Sequence, residues 1–192
     1  MRNFENELIV DEMSKNIIEK AEELAHEEGV ENVNVRRIMQ MLKITNRVFY
    51  NRFHNIEEVL DLIYQKTLLK IRESITSNFN PDKDFFEQVK EIVADTLIKS
   101  YENKENLNQF IFQSDSNSAD NYSWWMDEIG KLIEIGKEKD LLKDVKTDKM
   151  SYAIWCFIRG YNADALARNL PKDEAVEDFK YSFGILLDGM KK

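Results

Sequence analysis

Apolar residues recur three and four positions apart along most of this sequence, and few helix-breaking residues interrupt them. Only six of the 192 residues are glycine and two are proline, while 33% are charged. This spacing is typical of amphipathic helices, in which an apolar stripe repeats with the period of the helix. The sequence therefore predicts an all-α protein of about nine helices.

The segment from residue 32 to residue 56, called the basic segment below, has a charge opposite to that of the whole chain. The chain has 36 acidic residues against 27 lysines and arginines, and its net charge is −9. The basic segment contains no Asp or Glu, and its Lys and Arg residues are Arg36, Arg37, Lys43, Arg47 and Arg52. A local cationic surface on an acidic protein favours binding of phosphate groups at one place.

Capping residues divide the basic segment into two short helices. Asn34 is a good N-cap for a helix over Val35–Leu42, whose apolar residues share one face. The three residues 43–45 form a turn, and Thr45 can cap a second helix that runs from residue 46 to about residue 52. Asn55 then caps a third helix. Two short helices joined by a tight turn predict a helix-turn-helix, whose second helix enters the major groove of DNA.

In the order and spacing of these motifs, residues 13–62 resemble the N-terminal domain of the TetR-type transcriptional regulators. The matching motifs are the stripe Ile17, Ile18, Ala21, Leu24 and Ala25 before Gly29, the pair Asn34-Val35, the sequence ITNRVFYNRF at 44–53, and NIEEVL at 55–60.

Three positions depart from the family pattern. Lys43 stands where the family commonly has a turn glycine, and Arg47 where it has a small residue. Ile56 replaces a lysine that contacts phosphate in the family, so that role passes to Arg52 or His54.

The predicted DNA contacts fall into groups. Thr45, Asn46, Arg47 and Asn51 are candidates for the groove, because Arg and Asn side chains and helix N-termini bind base edges and phosphates. The arginines at 36, 37 and 52 are candidates for phosphates, and the resemblance places Tyr50 at a position that often touches a phosphate. Phe49, Phe53 and Val48 are expected in the core. The complete predicted set is Asn34, Arg36, Arg37, Thr45, Asn46, Arg47, Tyr50, Asn51, Arg52 and His54.

The resemblance divides the chain into a helix-turn-helix DNA-binding domain at 1–56 and a helical ligand-binding and dimerisation domain at 57–192. The second part is rich in aromatic residues, which suit an aromatic or lipophilic effector. Packing in the core is the alternative for each of them, and no particular effector is predicted. The predicted pocket residues are Tyr101, Phe110, Phe112, Trp125, Tyr152, Trp155, Arg159 and Asn162.

Apolar residues occupy every side of the helix predicted from Thr147 to about Asn169, which indicates that this helix is buried on all sides. TetR-type proteins dimerise through their last two helices, so the resemblance implies a homodimer. The alternative is that both helices only complete the core of one chain. The predicted interface residues are Phe157, Tyr161, Ala165, Phe179, Phe183, Leu186 and Leu187.

Two local signals predict where helices begin and end between these regions. Asn80, Pro81 and Asp82 have the composition of a helix start, with a cap, a proline at the first helical position and an acid. The polar run at 114–121 predicts a loop.

Several classes of protein lack support in the sequence. The single cysteine, Cys156, excludes an internal disulfide, and no run of 18 apolar residues or signal peptide is found, so a soluble cytoplasmic protein without membrane association is expected. His26 and His54 have no partners at ligand spacing, which predicts no metal site. The sequence lacks a phosphate-binding glycine loop and a nucleophile elbow, so neither an enzyme nor a cofactor is predicted.

Together with the helix-turn-helix, the resemblance implies a homodimeric transcriptional regulator, a repressor that a small ligand releases from a palindromic operator in double-stranded DNA. The alternative is a helical interaction or sensor protein that keeps the helix-turn-helix as a scaffold and binds protein.

Overall fold

A computed structural model describes residues 8–76, 80, 82–102 and 105–192. Most of these residues are helical, as predicted, and they contain no β-strand beyond an isolated antiparallel bridge between Leu142 and Lys191. A short 3-10 helix, Val30–Asn32, joins the first two helices. The described α-helices are α1 Glu12–Glu28, α2 Val35–Leu42, α3 Asn46–Tyr50, α4 Ile56–Thr76, α5 Phe85–Glu102, α6 Glu105–Asn117, α7 Ala119–Glu138, α8 Thr147–Ala167 and α9 Lys172–Met190.

The chain divides into two compact units, one of Met1–Lys70 with Lys104–Ile111 and one of Ile71–Asn103 with Phe112–Lys192. The first unit is larger than the predicted DNA-binding domain, because it includes most of α4 and the start of α6. The functional boundary at residue 56 stays a prediction.

The first unit is built around the apolar stripe of α1. Ile17 and Leu24 are fully buried there, together with Ile38 of α2 and Phe49 of α3. Phe53 is also in this core with 5% of its surface exposed, so the prediction that Phe49 and Phe53 face inward is confirmed.

Two caps act in this unit, of which the one at Asn34 was predicted from the sequence. The Asn34 side-chain oxygen accepts the N–H of Arg37 at 3.1 Å, which fixes the first turn of α2 as predicted. At the start of α1, Asp11 and Ser14 form a capping box, in which Ser14 N donates to Asp11 Oδ1 at 3.0 Å. These caps satisfy backbone donors that the helices leave unpaired.

In the second unit α7 packs on α8, and α5 packs on both α8 and α9. Its core contains a group of stacked aromatic rings, with Phe179 and Phe183 fully buried and their ring centroids 5.8 Å apart. The Phe157 ring lies 5.5 Å from that of Phe179. These contacts join α8 to α9 within one chain.

The predicted start of α5 is wrong. The helix begins at Phe85, where the Asp84 carboxylate accepts the N–H of Glu87 at 2.8 Å as a side-chain cap. The Asn80 side-chain oxygen instead accepts the N–H of Asp82 at 2.9 Å, a local turn that competes with helix formation. Pro81 lies outside the described residues.

The predicted polar loop at 114–121 is also wrong, because α6 continues to Asn117 and α7 begins at Ala119. Ser118 lies between the two helices, and its hydroxyl oxygen accepts the N–H of Asn121 at 3.1 Å. The Asn121 amide in turn donates to the Asp115 carboxylate at 3.0 Å. Polar residues here serve as caps and hydrogen-bond partners and do not break the helices.

The prediction that α8 is buried on all sides is wrong for a single chain. Tyr152 has 54% of its surface exposed, and Cys156 and Gly160 further along the helix are exposed as well. The buried side of α8 carries Trp155 and Ile158.

Candidate nucleic-acid interface

The turn between α2 and α3 has a left-handed residue, Lys43, with φ 53° and ψ 40°. Lys43 N donates to Gln40 O at 3.4 Å and Ile44 N donates to Met39 O at 3.0 Å. This pair of bonds is the Schellman ending of a helix, which usually has glycine at the left-handed position because a Cβ is disfavoured there. Lys43 therefore makes the turn that the family glycine commonly makes.

The second helix of this motif is shorter than predicted. It ends at Tyr50, and Asn51 and Arg52 lie in the turn that follows. Thr45 occupies the N-cap position, but its side chain makes no capping hydrogen bond, so that part of the prediction is wrong. Its backbone carbonyl accepts the N–H of Val48 at 3.0 Å, and its exposed hydroxyl is not used in a cap.

One side of α3 is exposed and polar, and the other is buried. Asn46 and Arg47 are exposed, and Tyr50 has 51% of its surface exposed. Phe49 has none, and its ring meets the Tyr50 ring edge-on with centroids 5.3 Å apart. The buried ring holds α3 to its unit, while the hydrogen-bonding side chains of the opposite side face solvent.

Three cations of the basic segment have no carboxylate partner within the described part of the chain. Arg36 lies on α2, Lys43 in the turn and Arg47 in the first turn of α3, and all three are exposed. A cation without an internal counter-ion can bind a phosphate without first losing a partner.

Arg37 and His54 have partners at the surface. Both terminal nitrogens of Arg37 lie 2.5 Å from the Glu28 carboxylate, and these bonds hold the pKa of Glu28 below its usual value. His54 Nδ1 lies 2.6 Å from Glu58, and the backbone N–H of His54 lowers the Glu58 pKa. Such exposed pairs contribute little to stability, so both side chains can be drawn to a phosphate.

Arg52 is committed within the first unit, with only 13% of its side chain exposed. Its Nε donates to Asp11 Oδ1 at 2.8 Å, its Nη2 to Asp11 Oδ2 at 2.5 Å, and its Nη1 to Val48 O at 2.8 Å. Asn34 is also occupied, because its side chain caps α2 and donates to Asn32 O. Asn51 is half-buried, and its carbonyl accepts the N–H of Ile9 at 2.9 Å. The predicted contacts therefore divide into exposed and internally bonded groups.

Sequence reasoning missed Asp11 and Ile9, which precede α1 and bind the residues after α3. Asp11 and Arg52 are separated by 41 positions, so no periodic or capping pattern connects them. Locally, the sequence shows only that Asp11 is a residue type that often caps the start of a helix.

The predicted pocket residues are only partly together. Phe110 packs on the core of the first unit, whereas the other seven lie in the second. The Trp125 and Trp155 rings are 5.3 Å apart, and the Arg159 guanidinium lies 5.8 Å from the Trp155 centroid. Arg159 also donates to Phe112 O at 3.0 Å.

The three remaining pocket candidates have separate surroundings. The Asn162 amide donates to Thr96 Oγ1 at 3.3 Å, and the Tyr101 hydroxyl donates to Leu170 O at 2.9 Å. Tyr152 is exposed.

A cavity of about 30 Å³ lies in the second unit, enough for roughly one water-sized molecule. None of the eight predicted pocket residues lines it. Its lining is Phe85, Val89, Val93, Ile129, Leu132, Ile133, Leu142, Ile154, Phe183, Leu187 and Met190.

Most of the predicted interface residues are covered by their own chain. Four of the seven have at most 4% of their surface exposed, and Phe157, Tyr161 and Leu186 are half-buried. The four are Ala165, Phe179, Phe183 and Leu187. The exposed apolar residues of α9 are instead Tyr181 and Ile185, at 72% and 57%. These two side chains are the most exposed large apolar surface that α9 offers to a second copy.

A helix-turn-helix with an exposed polar recognition side defines a DNA-binding regulator. Residues 17–63 match the family model described as "Bacterial regulatory proteins, tetR family". The resemblance to TetR-type regulators is thereby confirmed, with a tetR-family DNA-binding domain at 17–63 and a TetR-type fold for the chain.

Solved structures of the same fold cover nearly the whole chain. A TetR-family transcriptional regulator from Pectobacterium atrosepticum has a TM-score of 0.77 at 11% identity, covering 94% of each chain. The fatty acid degradation regulator FadR from Bacillus halodurans has a TM-score of 0.71 at 17% identity, covering 90% of this chain and 95% of its own. The regulatory protein TetR from Rhodobacter sphaeroides has a TM-score of 0.62 at 16% identity, covering 88% of this chain and 96% of its own. No significant match to a curated protein was found.

The part of the chain that the structure describes has neither a membrane-spanning helix nor a group of metal-binding side chains. None of its helices combines the length and apolar character needed to span a bilayer. It contains no group of three His, Cys, Asp or Glu side chains placed to hold a metal ion.

Proposed function

We propose that this chain is a homodimeric transcriptional repressor that binds a palindromic operator through α2 and α3 and leaves it when a lipophilic small molecule binds the second unit. The observation that carries the proposal is the exposed side of α3, where Asn46, Arg47 and Tyr50 lie opposite the buried Phe49. The proposal adds no enzymatic activity.

The proposed DNA contacts follow from which side chains are exposed and unpaired. Arg47 reads a base edge, and a good bidentate contact of this kind discriminates against the wrong base by about 1–3 kcal/mol. Arg36 and Lys43 bind phosphates, and Tyr50 donates its hydroxyl to a phosphate. The paired Arg37 and His54, with the half-buried Asn51, add contacts at the edge of this surface, as do Thr45 and Asn46 at the N-terminus of α3.

The proposed homodimer uses the exposed faces of the last two helices. Tyr181 and Ile185 are four positions apart on α9, so they lie on one side of it, and apolar side chains exposed in this way favour burial against a second copy. A dimer fits two major grooves when its recognition helices are about 34–36 Å apart. A ligand that binds better to a different spacing shifts the population away from the DNA-bound form.

A lipophilic effector is supported by the contents of the second unit. The Trp125 and Trp155 rings, with centroids 5.3 Å apart, lie there, and so does the apolar cavity, which at about 30 Å³ would have to widen to admit an effector larger than water. One structural neighbour is described as a fatty acid degradation regulator, which agrees with an effector of this class.

Selection of bound duplexes from a random DNA pool tests the proposal. Enrichment of a palindrome is the expected result, and absence of any enriched sequence would contradict it in favour of a protein-binding scaffold. On the selected duplex, Arg47→Ala should relax preference at one base position, whereas Arg36→Ala should weaken all sequences alike. In this proposal Arg36 and Lys43 contact phosphates and have no carboxylate partner among the described residues. The logarithm of the binding constant should therefore fall with the logarithm of the salt concentration with a slope of about −2 per chain.

Sedimentation of a matched pair of variants tests the dimer. Ile185→Glu should convert the dimer to a monomer, because it places a charge in the proposed apolar contact. Leu69→Glu is the control, since Leu69 of α4 is exposed to the same degree, at 56% against 57%. If Ile185→Glu sediments with the mass of a dimer, as Leu69→Glu is expected to do, the proposed interface on α9 is contradicted.

A further inference from the structure

We propose that Ile9, Asp11 and Arg52 form a clamp that positions the recognition helix α3, so that the acidic residue Asp11 strengthens DNA binding. The inference rests on the proposed DNA-binding function and assigns Arg52 a positioning role in place of the phosphate contact predicted from the sequence.

The clamp connects the start of α1 to the end of α3. Asp11 is the N-cap of α1, where its carboxylate accepts the N–H of Ser14, and the same carboxylate accepts two bonds from Arg52. The third Arg52 bond goes to the carbonyl of Val48 inside α3. A parallel backbone bond joins Ile9 N to Asn51 O at 2.9 Å. The guanidinium thus binds a carbonyl near the C-terminus of α3, where a cation is favoured by the helix dipole.

The recognition helix needs such support because it is short and because a side chain caps only its C-terminal end, through the bond from Arg52 to Val48 O. It has five residues, and a helix of this length is not stable by itself. Thr45 supplies no side-chain cap at its start. The direction of α3 therefore depends on the buried Phe49 and on the clamp after Tyr50. A binding surface must be held within about half an ångström by its supporting residues.

Two roles for Arg52 give opposite signs for one substitution. If Arg52 bound phosphate, Asp11 would compete for it, and removal of this carboxylate would free a cation, remove a negative charge and tighten binding. If Arg52 belongs to the clamp, removal of the carboxylate loosens α3 and weakens binding. Two charge-assisted hydrogen bonds are lost, so we expect binding to weaken about tenfold.

The experiment measures anisotropy of a fluorescein-labelled duplex carrying the selected palindrome, with the full chain at several salt concentrations. Asp11→Ser keeps a good N-cap for α1 but is too short to reach Arg52. Asp11→Asn retains one acceptor and should have an intermediate effect. The matched control is Glu12→Gln, which removes the same charge at the next position along the chain. The Glu12 side chain is 78% exposed, and among the described residues it pairs only with Lys15.

The expected result is weaker binding by Asp11→Ser with an unchanged salt slope, while Glu12→Gln binds as well as the parent or better. An unchanged slope separates positioning from loss of a phosphate contact, which would lower the slope by about one counterion. Binding by Asp11→Ser or Asp11→Asn that equals or exceeds that of the parent overturns the clamp. A parent chain that enriches no DNA overturns the proposed function itself, which is a different result.

Discussion

Replacing Lys43 by glycine should stabilise the protein, because Lys43 is a left-handed residue in the turn between α2 and α3. Its backbone N–H and that of Ile44 close the Schellman ending of α2, so the backbone cannot relax to another region without loss of both bonds. The side chain is exposed and makes no ion pair within the described residues, and its removal therefore breaks no internal contact.

The magnitude follows from two opposing terms. A residue with a Cβ in the left-handed region is destabilised by about 1–2 kcal/mol, which glycine avoids. Glycine makes the unfolded chain more flexible, which offsets about 0.4–1 kcal/mol of this gain. The net stabilisation of Lys43→Gly over Lys43→Ala should be about 0.5–1 kcal/mol. For a chain of this size the corresponding rise in Tm is about 1–4 °C.

Lys43→Ala is the matched control, because it removes the same charge and keeps the Cβ. Thermal unfolding followed by circular dichroism should place Lys43→Gly above Lys43→Ala in Tm. Both variants lose one proposed phosphate contact, so their DNA affinities should fall together and differ little from each other. A glycine variant that is no more stable than the alanine variant would show that the turn is not strained.

Three other predictions concern packing, capping and pH. Gly136→Ala should destabilise the protein by about 1–3 kcal/mol in urea unfolding, because the added Cβ would lie 2.5 Å from Leu142 Cδ1 in the core. Gly130→Ala in the same helix is the control. Its Cβ meets only ordinary contacts, so it should be neutral or stabilising. Asn34→Ala should cost about 1 kcal/mol in the same assay through loss of the α2 cap, and no loss would contradict that role. The guanidinium that binds Asp11 holds the pKa of this carboxyl well below its ordinary 3.8. The stability gained is therefore complete well above pH 3.8 and declines as pH falls below it, so the urea midpoints of Asp11→Asn and the parent should converge in acid.

Local sequence signals predicted the parts of the fold that depend on neighbouring residues. Asn34 caps α2 at the predicted position, and the first and last residues of α2 agree with the prediction. The turn after it was predicted from its length alone. Lys43 adopts the left-handed conformation because the two Schellman hydrogen bonds require it, although its side chain gives no sign of this in the sequence.

Contacts between distant positions were not available from periodicity. The spacing of Phe179, Phe183 and Leu187 correctly indicates one apolar side of α9, but a stripe does not show whether its partner is the same chain or another copy. The structure covers this stripe with its own chain and leaves Tyr181 and Ile185 exposed on the other side. An apolar sequence on two sides of one helix is compatible with both burial in the monomer and a second interface.

If the proposed function is correct, the pairing of cations explains how an acidic chain restricts its contact with DNA to one place. Within the basic segment Arg52 is neutralised by Asp11 and Arg37 is shared with Glu28, so these two arginines connect helices of the first unit. Arg36, Lys43 and Arg47 have no carboxylate partner among the described residues, so in the proposed complex they are the cations of this segment that reach phosphates or bases without losing an ion pair. Because charge is screened within about 8 Å at physiological salt, the acidic remainder of the chain weakens nonspecific contact elsewhere without cancelling this small surface. We infer that each of the three carries a larger share of DNA affinity than a single cation does in a uniformly basic protein.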